Sequence, residues 1–372
     1  MKIKFRNITF ITPLLAVILA GCANAGVASS WPGLTLSDST AYVAYNTQIF
    51  TIDTRNGGEV WRYPQEADNR HQYYASPAVA GNMLVAGSYG EHLVGLDAEN
   101  GQLKWSFDGA KDRYIGPALI MDGNVYAPNT DGHLYSLDSA GNLLWKFKAN
   151  GPNWTRPVTD GETIFLASMD HFLYALKAEY QVPQMAQDKD GQINLVSEPL
   201  WKVDLGTAVV ADPVIKNGVI FVGTIDGSLH AVSIEERKIS WTFRGGDEAA
   251  SIWGAPLVTE EAIFYGDEGG NLFAVSPRNG SALWPSPYTV GASLVAGGVE
   301  TEDGVLFVTD DGRIFTINLE KEPRPVTSLD AAVYATPLFI DGHVVTAPAV
   351  KEALLQTFDL TGKEVWKFIP TK

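Results

Sequence analysis

The sequence predicts an all-β chain, an eight-bladed β-propeller of four-stranded antiparallel blades, and three observations carry that prediction. Trp61, Trp105, Trp145, Trp201, Trp241, Trp284 and Trp366 recur at intervals of 44, 40, 56, 40, 43 and 82 residues, the last being two periods of about 41 with one tryptophan missing. A fixed period of about 40 to 45 residues marks a repeat whose single unit cannot bury its apolar face alone. Each unit divides into short alternating or β-branched runs separated by turn residues, which is strand patterning and not helix patterning. Shared among eight units, the 351 residues after position 21 allow about 44 each, the size of a four-stranded blade.

The chain begins with Lys2, Lys4 and Arg6, followed by a mainly apolar stretch from Ile8 to Ala20 that Pro13 interrupts. Such a stretch is too short to cross a bilayer as a helix, so residues 1–21 read as an export signal. It ends in Leu19-Ala20-Gly21-Cys22, and Cys22 is the only cysteine of the chain. This run resembles the lipobox of bacterial lipoproteins, which implies cleavage before Cys22, lipidation at Cys22 and attachment to the membrane through its acyl chains. Ala23, a non-acidic residue after the cysteine, resembles the pattern of lipoproteins sent on to the outer membrane. The expected location is therefore the outer membrane, facing the periplasm, in a two-membrane organism, and otherwise the outer face of the cytoplasmic membrane.

Residues 22–32 read as a lipidated tether and 33–372 as one propeller domain. Beyond position 21 the chain keeps 24 basic residues against 43 acidic ones, a net charge of −19. That surface argues against nucleic acid and against a polybasic grip on anionic lipid. With one cysteine no internal disulfide can form, and stability must come from a core, for which 45% hydrophobic residues suffice.

The units follow in order. The first runs from about Gly33 to Trp61. The second is the clearest: Pro77-Ala78-Val79, then Met83 to Ala86, then His92 to Asp97, a turn at Glu99-Asn100-Gly101, and Gln102 to Phe107. Its neighbours are Pro117 to Phe147, Pro157 to Trp201, Pro213 to Phe243, Pro256 to Trp284 and Pro337 to Phe368. The hairpin before each tryptophan is the most regular part. Asp53, Gly57 and Trp61 stand four and four apart, as do Asp97, Gly101 and Trp105; Asp138-Gly141-Trp145 and Asp359-Gly362-Trp366 use a turn one residue shorter. Asp caps the turn through backbone N–H groups, Gly takes the positive φ, and Trp is expected between blades. Ser233 and Ser276 replace Asp in two copies, and Asn318 opens an eroded seventh copy with Val326 at the tryptophan position. An open solenoid fits less well, because antiparallel blades leave edges that ring closure protects and neither end carries a polar capping repeat.

These hairpins resemble the quinoprotein-type (PQQ-like) propeller repeat, and the resemblance covers nearly the whole chain after Cys22. A lipobox followed by eight such blades is similar to the propeller lipoproteins of the outer-membrane barrel-assembly machinery. That resemblance implies a protein-binding scaffold. The quinoprotein enzymes of the superfamily imply an adjacent cysteine pair beside the cofactor and a calcium ion, and the pair cannot exist here. No catalytic residue, cofactor or metal is therefore expected, and a PQQ-dependent oxidoreductase is the least supported reading. Asp188, Asp190 and Gly191 resemble part of a calcium loop, but Ala186 and Ser197 occupy its first and closing ligand positions, so the segment reads as a polar surface loop in the fourth unit. His71, His92, His133, His171, His230 and His343 show no ligand spacing.

One constellation rises above the repeat. Tyr74, Tyr114, Trp154, Trp253 and Tyr334 each stand three residues before the proline that opens a unit, with Val210 the exception. Segments entering innermost strands come near the mouth of a propeller's channel, and Arg70, His71, Arg113, Arg156, Asp212, Asn153 and Ser251 are their polar neighbours. Two readings stay open. The aromatics are inter-blade filler, or with Arg156 and Asp212 they form a ring that holds a ligand or peptide. The expectation is a non-enzymatic, lipid-anchored propeller that binds a protein partner in the envelope, with a surface receptor for a small ligand or peptide as the alternative.

Overall fold

In the computed structural model the described residues are 31–371, without 182, 183, 190, 247, 248, 303, 350 and 351. The expected signal segment, Cys22 and most of the 22–32 tether lie outside the described residues. Eight antiparallel sheets of four core strands span residues 33–63, 78–107, 119–148, 158–204, 214–244, 257–289, 299–328 and 338–368, here blades 1 to 8. The first strand of each blade is innermost, where first strands of neighbouring blades meet around the axis. No α-helix occurs among the described residues.

The middle strands of each blade, such as Met83–Gly87 and Leu93–Asp97, are buried along nearly their whole length. Both faces pack against other blades, so these strands are apolar at consecutive positions instead of alternating. Outer strands alternate, as Lys238–Arg244 does, because their edges meet solvent. Among the described residues the core divides into eight apolar clusters, one at each interface between blades.

The cluster joining Val43, Phe50 and Ile52 of blade 1 to Val345, Leu355 and Phe368 of blade 8 closes the ring. Each of these two blades is built wholly from its own strands, so the seam is held by side chains and not by an exchanged strand. The rings of Phe50 and Phe368 meet edge-on at 5.7 Å, and the Arg62 guanidinium donates to the Thr371 carbonyl at 2.8 Å.

The repeating tryptophan has one job at several seams. Its indole N–H donates to the backbone carbonyl just after the first hairpin residue of the next blade. Trp61 reaches Ala98 at 3.1 Å, Trp145 reaches Ala178 at 3.1 Å, Trp241 reaches Pro277 at 3.3 Å and Trp284 reaches Leu319 at 2.7 Å. Trp366 reaches Thr54 at 2.8 Å, carrying the pattern across the seam. The indole also lies flat on the next hairpin's glycine. At Gly101 φ is +72°, and an added Cβ would stand 2.5 Å from Trp61 Cε3, so both backbone conformation and space demand glycine.

Trp105 departs from this pattern. Trp105 still lies against Gly141, but its Nε1 is buried without a partner. At Val326 the shorter turn of blade 8 comes close enough that a Cβ on Gly362 would stand 2.0 Å from the Val326 carbonyl oxygen. Backbone fills the place of an indole there, which accounts for the eroded copy.

The 56-residue interval is not a loop. It contains the strands Ala186–Gln187 and Ile193–Val196, which leave blade 4 and extend blade 3 outward to six strands. Ile193–Val196 runs parallel to the outer strand Leu143–Lys148, with Lys146 opposite Leu195 and Phe147 opposite Val196. The sequence hides this partner because it belongs to a different blade.

Candidate binding site at the channel mouth

A connection leads from the outer strand of each blade to the innermost strand of the next, so successive connections place one residue each around the axis. Tyr74, Trp154, Trp253 and Tyr334 line a single cavity of about 420 Å³ at that mouth, together with Asp212. Val210 and Val295 line it at the corresponding positions of blades 5 and 7, and the Trp31 ring packs against Tyr334 at 5.5 Å, tilted by 46°. Trp154, Trp253 and Tyr334 are partly exposed, whereas Tyr74 is buried against Tyr45 and Tyr89 at 6.1 and 5.0 Å.

Tyr114 is elsewhere. It is buried between blades, at the place where a Cβ on Gly87 would meet its own at 2.2 Å. Its backbone N–H donates to Ser88 O at 3.1 Å, as Ile252 does to Thr224 and Leu294 to Asp267 at 3.2 and 3.0 Å, so it matches the residue one step before the mouth. The stretch Ile115-Gly116-Pro117 is one residue shorter than Tyr74-Ala75-Ser76-Pro77. Counting back from the proline therefore overshoots, and Ile115 is the residue that lines the cavity.

Arg156 and Asp212 precede the opening prolines of adjacent blades and meet there; Asp212 lines the cavity, whereas Arg156 is not among its lining residues. The Arg156 main-chain N–H donates to Asp212 Oδ1 at 2.7 Å, while Arg156 Nε is buried without a partner. Burial pushes the Asp212 carboxyl above its ordinary value, and the Arg156 charge opposes that shift. The mouth thus offers aromatic and aliphatic walls over a carboxylate floor, a surface suited to an apolar or aromatic side chain with a donor at its tip. Trp253 Nε1 donates to Glu268 Oε2 at 3.3 Å on the rim, and Arg113 stands 5.7 Å over the Tyr89 ring.

Of the other polar neighbours, Arg70 pairs with Asp68 at 2.7 Å, and His71 stacks on His92 at 4.3 Å. His92, His133 and His171 each bond a carboxylate, at 2.5, 3.1 and 2.8 Å. In the calcium-like segment Asp188 pairs with Lys146 at 2.7 Å and caps Gln192 N at 2.8 Å; Asp190 lies outside the described residues.

Comparisons with known proteins follow the fold. The profile of the family described as outer membrane protein assembly factor BamB matches residues 23–115, 111–181 and 188–292. The BamB of Yersinia pestis is 26% identical over 212 residues, 54% of this chain and 49% of that protein, so the chain spans about half the length of that relative. The BamB of Moranella endobia is 23% identical over 329 residues, covering 82% of this chain and 81% of its own. A quinoprotein ethanol dehydrogenase of Pseudomonas aeruginosa is 22% identical over 205 residues, 50% of this chain but 25% of the enzyme. The crystal structure of BamB from Moraxella catarrhalis superposes with a TM-score of 0.68 at 15% identity, over 85% of this chain and 93% of that one, which shows a shared fold. With its profile matched across most of the chain, this protein belongs to the family of outer membrane protein assembly factor BamB.

Proposed function

We propose that this protein is a non-enzymatic scaffold for outer-membrane protein assembly, anchored through acyl chains on Cys22 and binding a protein partner of the envelope at the channel mouth. The family match carries the proposal, and the geometry of the mouth supports it. A rigid closed disc presents Trp154, Trp253 and Tyr334 at one opening, and exposed aromatics on a stiff frame lose little entropy on binding. The tether 22–32 would set the disc near the membrane while leaving both faces free. An oxidoreductase is disfavoured because Cys22 is the only cysteine and the likeness to the dehydrogenase covers a quarter of that enzyme.

One observation favours a second reading, a receptor for a small ligand or peptide: the cavity has a carboxylate floor in Asp212. The test is a crosslinking pull-down from native membranes with the lipidated protein and a Cys22→Ser control. Recovery of a barrel-assembly complex by the lipidated protein supports the scaffold. Recovery of no stable protein partner, together with ligand-dependent melting of the isolated protein, supports the receptor instead.

A further inference from the structure

The chain enters its ring through the channel mouth. Trp31 and Pro32 line the mouth cavity, and Trp31 packs on Tyr334. A Cβ on Gly33 would stand 2.4 Å from the Tyr74 carbonyl oxygen, and the Leu34 N–H donates to Ser76 Oγ at 3.2 Å, so blade 1 starts between the connections that carry Tyr334 and Tyr74. Its innermost strand, Gly33–Ser37, runs from the mouth to the opposite face, where Asp38 and Ser39 turn the chain into Thr40–Tyr45. Nine residues, Cys22 to Ser30, precede Trp31.

We infer that the channel-mouth face is the one turned toward the membrane, so that the mouth receives its partner from the lipid side, as a segment of a membrane-inserted protein. The inference rests on the proposed anchor at Cys22. From Cys22 to Trp31 the chain reaches at most about 32 Å. To turn the opposite face to the lipid, the same chain must cross about 14 Å from inner to outer strand and then follow the disc for about 17 Å, the length of a five-residue strand. That path uses the whole reach before any side chain is cleared. The tether leaves both faces uncovered without leaving them equivalent: it holds the mouth within about 32 Å of the lipid and leaves the opposite face about one strand length farther out. A partner inserted in the same membrane is concentrated at that gap by its own insertion, as a linked pair of binding modules is.

The experiment reads energy transfer from a dye on the lipidated protein to rhodamine on the headgroups of phosphatidylcholine vesicles. The dye is attached through Ile225→Cys or Glu261→Cys, the Cys22 thiol being taken by the lipid. Ile225 is exposed on the mouth face, between Val219–Gly223 and Ser228–Ser233; Glu261 is exposed on the opposite face, between Leu257–Val258 and Ile263–Gly266. Neither lines the mouth cavity. Transfer is expected to be about twofold greater from 225 than from 261, and to become equal once about twenty Gly and Ser residues are inserted after Ser30. Flotation with the vesicles tests the anchor and transfer tests the orientation, so the two fail separately. Protein that floats but transfers equally from both positions, or more from 261, overturns the inference and leaves the anchor standing. Protein that does not float removes the anchor and the inference with it. An excess at 225 that survives the longer tether also overturns the inference, and assigns the orientation to lipid contacts of the mouth aromatics.

Discussion

At the scale of single residues, the hairpin tryptophan joins two blades by packing and by one hydrogen bond, and the two contributions can be separated. Trp366 has both, lying on Gly57 and donating to Thr54 O at 2.8 Å, whereas Val326 packs without an indole. Replacing Trp366 with Ala should cost about 3 to 5 kcal/mol, and Val326→Ala less than about half of that, as read by denaturant unfolding. Equal losses would remove the packing role assigned to the tryptophan. Titration offers a second test at this scale. Burial lowers the pKa of His230 below its ordinary 6.5, and burial followed by the neighbouring His92 lowers that of His71. For both groups the unfolded chain takes up the proton first, so stability is complete above pH 6.5 and declines as pH falls below it. The melting temperature should therefore drop between about pH 7 and about pH 5.5, and His230→Gln should make that drop shallower. An unchanged slope in the variant would show that His230 does not contribute.

At the scale of elements, periodicity made the blades legible while leaving their additions hidden. Short runs bounded by turns mark Met83–Gly87 and Leu93–Asp97 directly, because each strand's partner lies next to it in sequence. Ile193–Val196 pairs instead with the outer strand of the preceding blade, and no local signal announces such a partner. Its anchor is Lys146 to Asp188, with side chains 14% and 5% exposed. Asp188→Asn would leave the lysine unpaired in a mostly enclosed place and should loosen the hairpin by about 1 to 3 kcal/mol. Hydrogen exchange is the measurement: the amides of Leu195 and Val196 should exchange faster while those of Leu93–Asp97 hold. Uniform acceleration across blades would mean that the hairpin is not a separable element.

At the scale of the whole molecule, a ring of eight blades converts a one-dimensional repeat into a frame with one residue per connection at its mouth. The recurrence of Tyr74, Trp154, Trp253 and Tyr334 was visible before the prolines because the connection length is nearly constant. Tyr114 shows the limit, since a connection one residue shorter moves the mouth position to Ile115 without leaving a trace in the aromatic pattern. Val210 and Val295 line the same cavity and carry no aromatic signal at all. Alignment on the backbone bond that precedes the mouth residue, and not on the proline, finds Tyr74, Ile115, Trp154, Trp253 and Val295. The central claim is that this mouth meets a partner of the assembly machinery. Photocrosslinking in native membranes, with a photoreactive residue at position 253 and a control at the exposed position 103 on an outer strand, tests it most directly. The account predicts an adduct with a barrel-assembly component from position 253 and none from 103; adducts from 103 alone, or none with that machinery from 253, would contradict it.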